Sequence, residues 1–210
     1  MLISGTGGFA RQLLSTLQRL GIESSRVYFN DVSNDQSDFI SKNFTVLRTG
    51  EEAAAYLKTT DDRFVLALGG PENRRIVSEK LSKMGGKPVT IIDPTATVSG
   101  FDVRIGDGCT ILQDVIIETG VTLGKGVLLN LRSIVTHDSV IGDFSEISPA
   151  VTILGAVKIG NGCFIGAGAV ILPKVVIGNN CIIGAGAVVT ENIADDQTVV
   201  GVPAKAIVRR

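Results

Sequence analysis

Tryptophan is missing from this chain of 210 residues, tyrosine occurs twice, and histidine occurs once, at His137. One histidine does not supply the roughly three imidazoles by which a catalytic zinc is often held, so no metal is expected. The net charge is −1, which argues against nucleic acid as a partner. No run of about 18 apolar residues is present, so no membrane span is expected. The amino terminus has no basic-then-apolar start, so no signal peptide is expected, and the chain reads as cytoplasmic. Cysteine is limited to Cys109, Cys163 and Cys181. They read as small buried thiols, although the 18 residues between Cys163 and Cys181 could stack them at disulfide range. The length allows one large or two modest domains.

What is abundant is a six-residue period. From Ile105 to Val189 every sixth residue is aliphatic, through fifteen positions that include Ile111, Ile117, Leu123, Leu129, Val135 and Ile141. Four residues after each stands a second column, narrow in most hexads: Cys109, Val115, Val121, then Ser133, Ser139, Ser145, and on to Ala187 and Ile193. Side chains alternate along a strand, so positions i and i+4 share its inner face. Helical spacing would be three or four. Glycine often follows the large aliphatic and is expected to supply the bend between short strands. An unbroken repeat of this kind marks a parallel β-helix, each rung buried only by its neighbours. A narrow interior also suits a chain poor in aromatics. The period leaves the number of faces and the handedness open.

The first third reads differently. Leu2–Ile3 is an expected strand running into Gly5-Thr6-Gly7-Gly8-Phe9-Ala10. A helix follows, with Leu13, Leu14, Leu17 and Leu20 on one face and Gly21 at its end. Val27–Phe29 is a second strand, residues 51–58 a short helix, and Phe64–Leu68 a third strand entering Gly69-Gly70. Pro71 opens another helix, with Ile76, Val77, Leu81 and Met84 on its apolar face; Val89–Ile92 is a fourth strand. Alternating strands and helices imply a small parallel, Rossmann-like sheet. The GxGxxA turn can carry phosphate, because glycines admit an anion and the next helix points amides at it. Asp31, at the end of the second strand, stands where a ribose contact falls in dinucleotide sites. Nucleotide-sugar binding, dinucleotide binding and a purely structural turn all remain open on these residues.

The hexad Ile/Val-Gly-x-x-small-x, the segment IGAGAVV and the tail GVPAKAIV resemble the left-handed β-helix sugar acyltransferases. The stretch SIVTHDSVIG around His137 resembles the catalytic segment of bacterial nucleotide-amino-sugar N-acetyltransferases and sialic-acid O-acetyltransferases. The resemblance implies an α/β Rossmann-like domain over residues 1–91 and a left-handed parallel β-helix over residues 92–210, with three hexads per coil. Residues 105–194 then give five coils, after a first coil whose register slips by one residue before Ile105. It also implies a homotrimer that binds acetyl-CoA and a nucleotide sugar.

Site residues follow from the same resemblance. His137 is the general base, with Asp138 raising its basicity if the chain bends between them. Gly7, Gly8, Phe9, Asn30, Asp31 and Gly69 hold the nucleotide sugar, and Asn130 lies near the acceptor. The Gly155 amide faces the thioester carbonyl. Glu146, Ala167 and Ala185 line the acetyl-CoA groove, and Lys205 meets the coenzyme phosphates. Phe9 departs from the histidine common there. Imidazole suits the task because a thioester is already activated and only the acceptor's proton must be removed. N-acetylation of an amino sugar is the expected reaction, with O-acetylation of a sialic acid or other sugar hydroxyl as the alternative. A non-catalytic scaffold and serine-type O-acetylation compete, the latter disfavoured by the Rossmann-like unit.

Overall fold

The computed structural model describes residues 1–22, 27–29 and 38–207. Asn30 and Asp31 lie outside the described residues. The chain opens with β1 (Leu2–Ser4), α1 (Gly8–Arg19), β2 (Val27–Phe29), α2 (Asp38–Asn43), β3 (Thr45–Leu47), α3 (Gly50–Thr59), β4 (Arg63–Leu66), α4 (Pro71–Lys83) and β5 (Lys87–Pro88). The strands form one parallel sheet in the order β3-β2-β1-β4-β5. Helix α1 forms because Ala10, Leu13 and Leu17 recur on one face and are buried together. Helix α3 starts at a reciprocal capping box between Thr49 and Glu52. The strand order reverses between β1 and β4, so their following loops diverge and leave a crevice at the sheet's carboxyl edge. Gly5 makes this turn possible: its φ is +112°, and a Cβ there would lie 2.5 Å from the Ala67 carbonyl oxygen.

Within the sheet domain, three sequence expectations need correction. Helix α2 and strand β3 were not foreseen, since a three-residue strand carries too little pattern to stand out. Ile76 is not on the buried face of α4: it is exposed, and the buried set is Arg74, Val77, Ser78 and Leu81 at helical spacing. The expected strand Val89–Ile92 is divided. Val89 still bonds to Phe64, but β6 (Ile91–Ile92) pairs with Thr110–Ile111 and already belongs to the coil.

From β6 onward the chain winds through three parallel ladders. Face one carries Ile91–Ile92, Thr110–Ile111, Leu128–Leu129, Glu146–Ile147, Phe164–Ile165 and Ile182–Ile183. Face two carries Thr97–Val98, Ile116–Ile117, Ile134–Val135 and their successors, and face three Arg104–Ile105, Thr122–Leu123, Val140–Ile141 and theirs. Pairing is at 18 residues, as with Ile117 and Val135, but at 19 between Val98 and Ile117, which is the expected one-residue slip. The last coil is shorter than expected. Ile193 takes the large-aliphatic position beside Ile177, 16 residues back, rather than the narrow column. The inner columns are buried from Cys109 to Val189, with Ile105 and Ile193 partly buried at the two ends.

The bends also differ from expectation. Left-handed backbone falls three residues after each large aliphatic: at Gly108, Gly120, Gly126, Gly162, Gly168 and Gly186, but equally at Asp114, Arg132, Asp138, Phe144, Ala150, Ala156, Lys174 and Asn180. The glycine directly after the aliphatic serves close stacking instead; a Cβ on Gly142 would lie 2.5 Å from the Gly160 carbonyl carbon. The three cysteines are free and buried. The Cys163 and Cys181 thiols each donate to a backbone carbonyl at 3.0 Å, as the Ser145 hydroxyl does at 2.8 Å. Burial pushes the Cys109 and Cys163 thiols up to about 11.

The sheet domain sits on face one. Leu112 and Leu128 share a core with α1 residues Ala10, Leu13 and Leu17. Polar clasps surround that core. Arg19 of α1 forks onto Asp93 at 2.6–3.1 Å, and Thr16 donates to the same carboxylate at 2.6 Å. Arg74, fully buried, donates to the carbonyls of Leu66, Leu68 and Gly126 and to the Thr110 hydroxyl. Burial pushes its guanidinium down to about 10, so it remains charged at neutral pH.

Candidate active site

His137 stands on the edge between faces two and three. Alternation alone would turn it inward; the left-handed bend at Asp138 (φ 60°) turns it outward instead, and its side chain is 65% exposed. The same bend lets sequence neighbours meet. His137 Nδ1 and Asp138 Oδ2 lie 2.9 Å apart. A carboxylate there accepts from Nδ1–H, which fixes the tautomer with Nε2 free. The imidazole lies against Gly155, one coil on. A Cβ on Gly155 would be 2.5 Å from His137 Cε1 and nearer still to Nε2, so no other residue fits beneath the ring.

The backbone amides at the corners separate into two kinds. On the edge between faces three and one they are taken by the next coil: Asp143 N–H donates to Asn161 Oδ1 at 2.7 Å, Asn161 N–H to Asn179 Oδ1 at 2.9 Å, and Asn179 N–H to Asp195 Oδ1 at 2.8 Å. Where the next coil offers proline, alanine or glycine, as Pro173 beside Gly155, Ala185 beside Ala167 and Gly201 beside Ala185, it brings no side-chain acceptor. Among the described residues, nothing in the chain accepts from the amides of Gly155, Ala167 or Ala185. Ala167 and Ala185 are exposed and stack on the edge between faces one and two.

Asn130 begins that same edge. It is buried, and its Oδ1 accepts from Leu131 N–H at 2.8 Å and from Gln12 Nε2 of α1 at 3.1 Å. Gly7 and Gly8 open α1, which has no side-chain cap and no acidic residue in its first turn, leaving its amino-terminal amides open to an anion. Phe9 is half-buried against the junction core. Gly69 lies in the loop after β4, on the other side of the crevice.

Glu146 is buried on face one of this chain, and Gly70 N–H donates to its Oε2 at 2.6 Å, so it closes the α4 terminus at the domain junction. Lys205 is exposed near the carboxyl end, 3.8 Å from Glu191. A cleft of about 560 Å³ between α4 and face one, lined by Arg75, Phe144, Phe164 and Ile182, contains none of the expected site residues.

The expected site therefore falls into two groups within one chain. The glycine loop, Asn130, Ala167 and Ala185 lie on the side of face one and its edge with face two. His137, Asp138 and Gly155 lie on the edge opposite face one. Gln12, Arg19, Arg74 and Asp93 were missed from sequence. Arg74 had a signal, since it stands at i−3 from Val77 and i−7 from Leu81; the others had none.

A prism of hexads bearing one outward imidazole–carboxylate pair over a glycine, joined to a small parallel sheet, defines an acyltransferase of the left-handed β-helix class. Residues 138–173 and 156–191 match the bacterial transferase hexapeptide family (six repeats), and residues 1–81 match the PglD N-terminal domain. GDP-perosamine N-acetyltransferase of Escherichia coli O157:H7 is 34% identical over 174 residues, 80% of this chain and 76% of that protein. A mutant of perosamine N-acetyltransferase from Caulobacter crescentus, solved with CoA and GDP-perosamine, superposes with a TM-score of 0.88 at 28% identity, covering 99% of this chain and 96% of that one. The acetyltransferase domain of PglB from Neisseria gonorrhoeae, in complex with acetyl coenzyme A, gives 0.88 at 29% identity, with 98% of each chain covered. The chain belongs to the hexapeptide-repeat acetyltransferases that carry a PglD-type amino-terminal domain.

Proposed function

We propose that this enzyme transfers the acetyl group of acetyl-CoA to the amine of a nucleotide-linked amino sugar, with His137 as general base. The observation that carries the reading is an exposed imidazole with Nδ1 on the Asp138 carboxylate, set against Gly155, whose amide donates to nothing among the described residues. A thioester carbonyl at that amide receives a hydrogen bond that strengthens as the oxygen becomes anionic. The amine attacks the carbonyl carbon, His137 Nε2 takes its proton, the C–S bond breaks, and the imidazolium returns the proton to the departing thiolate. Asp138 favours the imidazolium. The unpartnered amides of Ala167 and Ala185 suit the amide-rich arm of the coenzyme, and Lys205, exposed, is assigned to its phosphates on resemblance. Gly7, Gly8 and Gly69 border the crevice for the nucleotide, with Asn30 and Asp31 assigned to the same site on resemblance.

We assign the working form as a homotrimer. His137 and the glycine loop lie on opposite sides of one prism, so a sugar held by one protomer meets the imidazole of its neighbour. Face two supports this packing: its outward column runs Thr97, Ile116, Ile134, Thr152, Val170, Val188, uncharged and mostly apolar, and from Ile116 to Val188 it is only half-buried in the single chain. The division into residues 1–91 and 92–210 belongs to this proposal, with Ile91 already paired in the coil. So does a cytoplasmic location, which the three free thiols suit. Among the described residues, no helix is long and apolar enough to cross a membrane.

The test is release of free CoA on mixing acetyl-CoA with a panel of nucleotide amino sugars, alongside thermal-shift measurements. Acetylation of an amine, lost by about 10²–10⁴-fold in folded His137→Ala, is the expected result. Product acetylated on oxygen, or stabilisation by NADH alone, sinks the reading.

A further inference from the structure

We propose that Gln12 is a positioning residue that makes Asn130 a pure hydrogen-bond donor toward an oxygen of the acceptor sugar. The inference rests on the reading above and adds a specificity element to it. Leu131 N–H donates to Asn130 Oδ1 at 2.8 Å. A backbone N–H only donates, so the oxygen and not the nitrogen of the Asn130 amide must face it. Gln12 meets the same oxygen at 3.1 Å and must therefore present its Nε2. Both lone pairs of Oδ1 are then occupied. Asn130 is 8% exposed, and among the described residues nothing accepts from its Nδ2. A nearly buried amide whose acceptor half is saturated and whose donor half is vacant recognises an acceptor atom.

The chemistry of transfer favours this polarity. The attacking nitrogen needs its lone pair for the carbonyl carbon, and a donor aimed at it would occupy that pair. Asn130 accordingly grips a sugar oxygen and leaves the amine to His137 of the neighbouring protomer. Gln12 couples this grip to nucleotide binding. It lies on α1, about one turn after the glycine loop, and the same helix is pinned to the coil through Thr16, Arg19 and Asp93.

Two substitutions of opposite polarity separate positioning from mere packing. Gln12→Glu turns a carboxylate toward Oδ1, and the Leu131 amide prevents Asn130 from flipping in response. Gln12→Lys restores a donor. Gln12→Glu is expected to raise KM for the nucleotide sugar about tenfold or more, with KM for acetyl-CoA within about twofold, and Gln12→Lys to recover most of the loss. Equal behaviour of the two variants overturns the proposal. Asn130→Asp keeps the shape and the acceptor oxygen but removes the donor. It is expected to show the same KM rise at an unchanged melting temperature, and a wild-type KM also overturns the proposal. A wild-type enzyme inactive on every amino sugar defeats the functional reading, and this inference with it; a wild-type enzyme that acetylates them leaves the decision to the variants alone.

Discussion

At the scale of single residues, His137 shows how much depends on one dihedral. Alternation in an extended chain would have buried the ring and separated it from Asp138. A φ of 60° at Asp138 does the reverse for both. The sequence showed the pair but not the bend, because asparagine and aspartate tolerate that backbone without announcing it. Gly155 is the second case: its lack of a side chain makes the floor of the site. Gly155→Ala should displace the imidazole and lower kcat by about a hundredfold or more, with the melting temperature nearly unchanged, a contrast readable by steady-state kinetics and thermal unfolding on one preparation. Arg74 is the structural counterpart. Four acceptors surround its guanidinium, so Arg74→Met leaves buried carbonyls unpaired and should destabilise the protein by about 3–5 kcal/mol in urea unfolding. Its place on the buried face of α4 was legible from its spacing to Val77 and Leu81. Its charge is what concealed it.

At the scale of elements, α1 is the hinge between binding and scaffold. Its apolar side follows from Leu13 and Leu17, but its polar stripe of Gln12, Thr16 and Arg19 means nothing until the coil is placed against it. Asp93 receives that stripe. Burial works against its charge, yet hydrogen bonds from Arg19, Thr16 and Thr95 prevail and hold it down at about 2, from an ordinary 3.8. In that interval the unfolded chain binds the proton and the folded one does not. The stabilisation is therefore complete above about pH 4 and is lost as pH falls through about 2. Asp93→Asn should reduce stability at pH 7 by on the order of 2 kcal/mol and flatten the acid limb of the stability curve; an unchanged limb in urea titrations between about pH 6 and pH 2.5 would remove Asp93 as its source. The hexads themselves were readable element by element. Their ends were not, because the shortened turn from Val189 to Ile193 answers to the carboxyl-terminal hairpin packed on the last coil.

At the scale of the whole molecule, the proposed trimer carries a consequence: one chain alone would not make one site. His137 and the glycine loop lie on different sides of the prism, and cyclic symmetry would bring them together at each seam. Mixing protomers tests this directly. His137→Ala and Asn130→Ala protomers, assayed with nucleotide sugar well below KM and each at about a tenth of wild-type activity or less alone, should regain activity when unfolded and refolded together, since a mixed trimer holds an interface with both residues intact. Ile134→Glu, on the outward side of face two, should yield monomers by light scattering and lose transfer activity with them. No recovery on mixing, or a fully active monomer, would place the whole site within one chain.

The sequence by itself determined the coil, its six-residue step, the slip before Ile105, the parallel sheet ahead of it and the outstanding histidine, because each is a local pattern repeated until no other fold accommodates it. Only the tertiary structure decided which edge carries His137, that Gly155 lies beneath it, that Glu146 closes a helix at the junction, and that Gln12 holds Asn130. Those facts join residues one coil or one domain apart, and a distance across a fold leaves no periodic trace in the order of the chain.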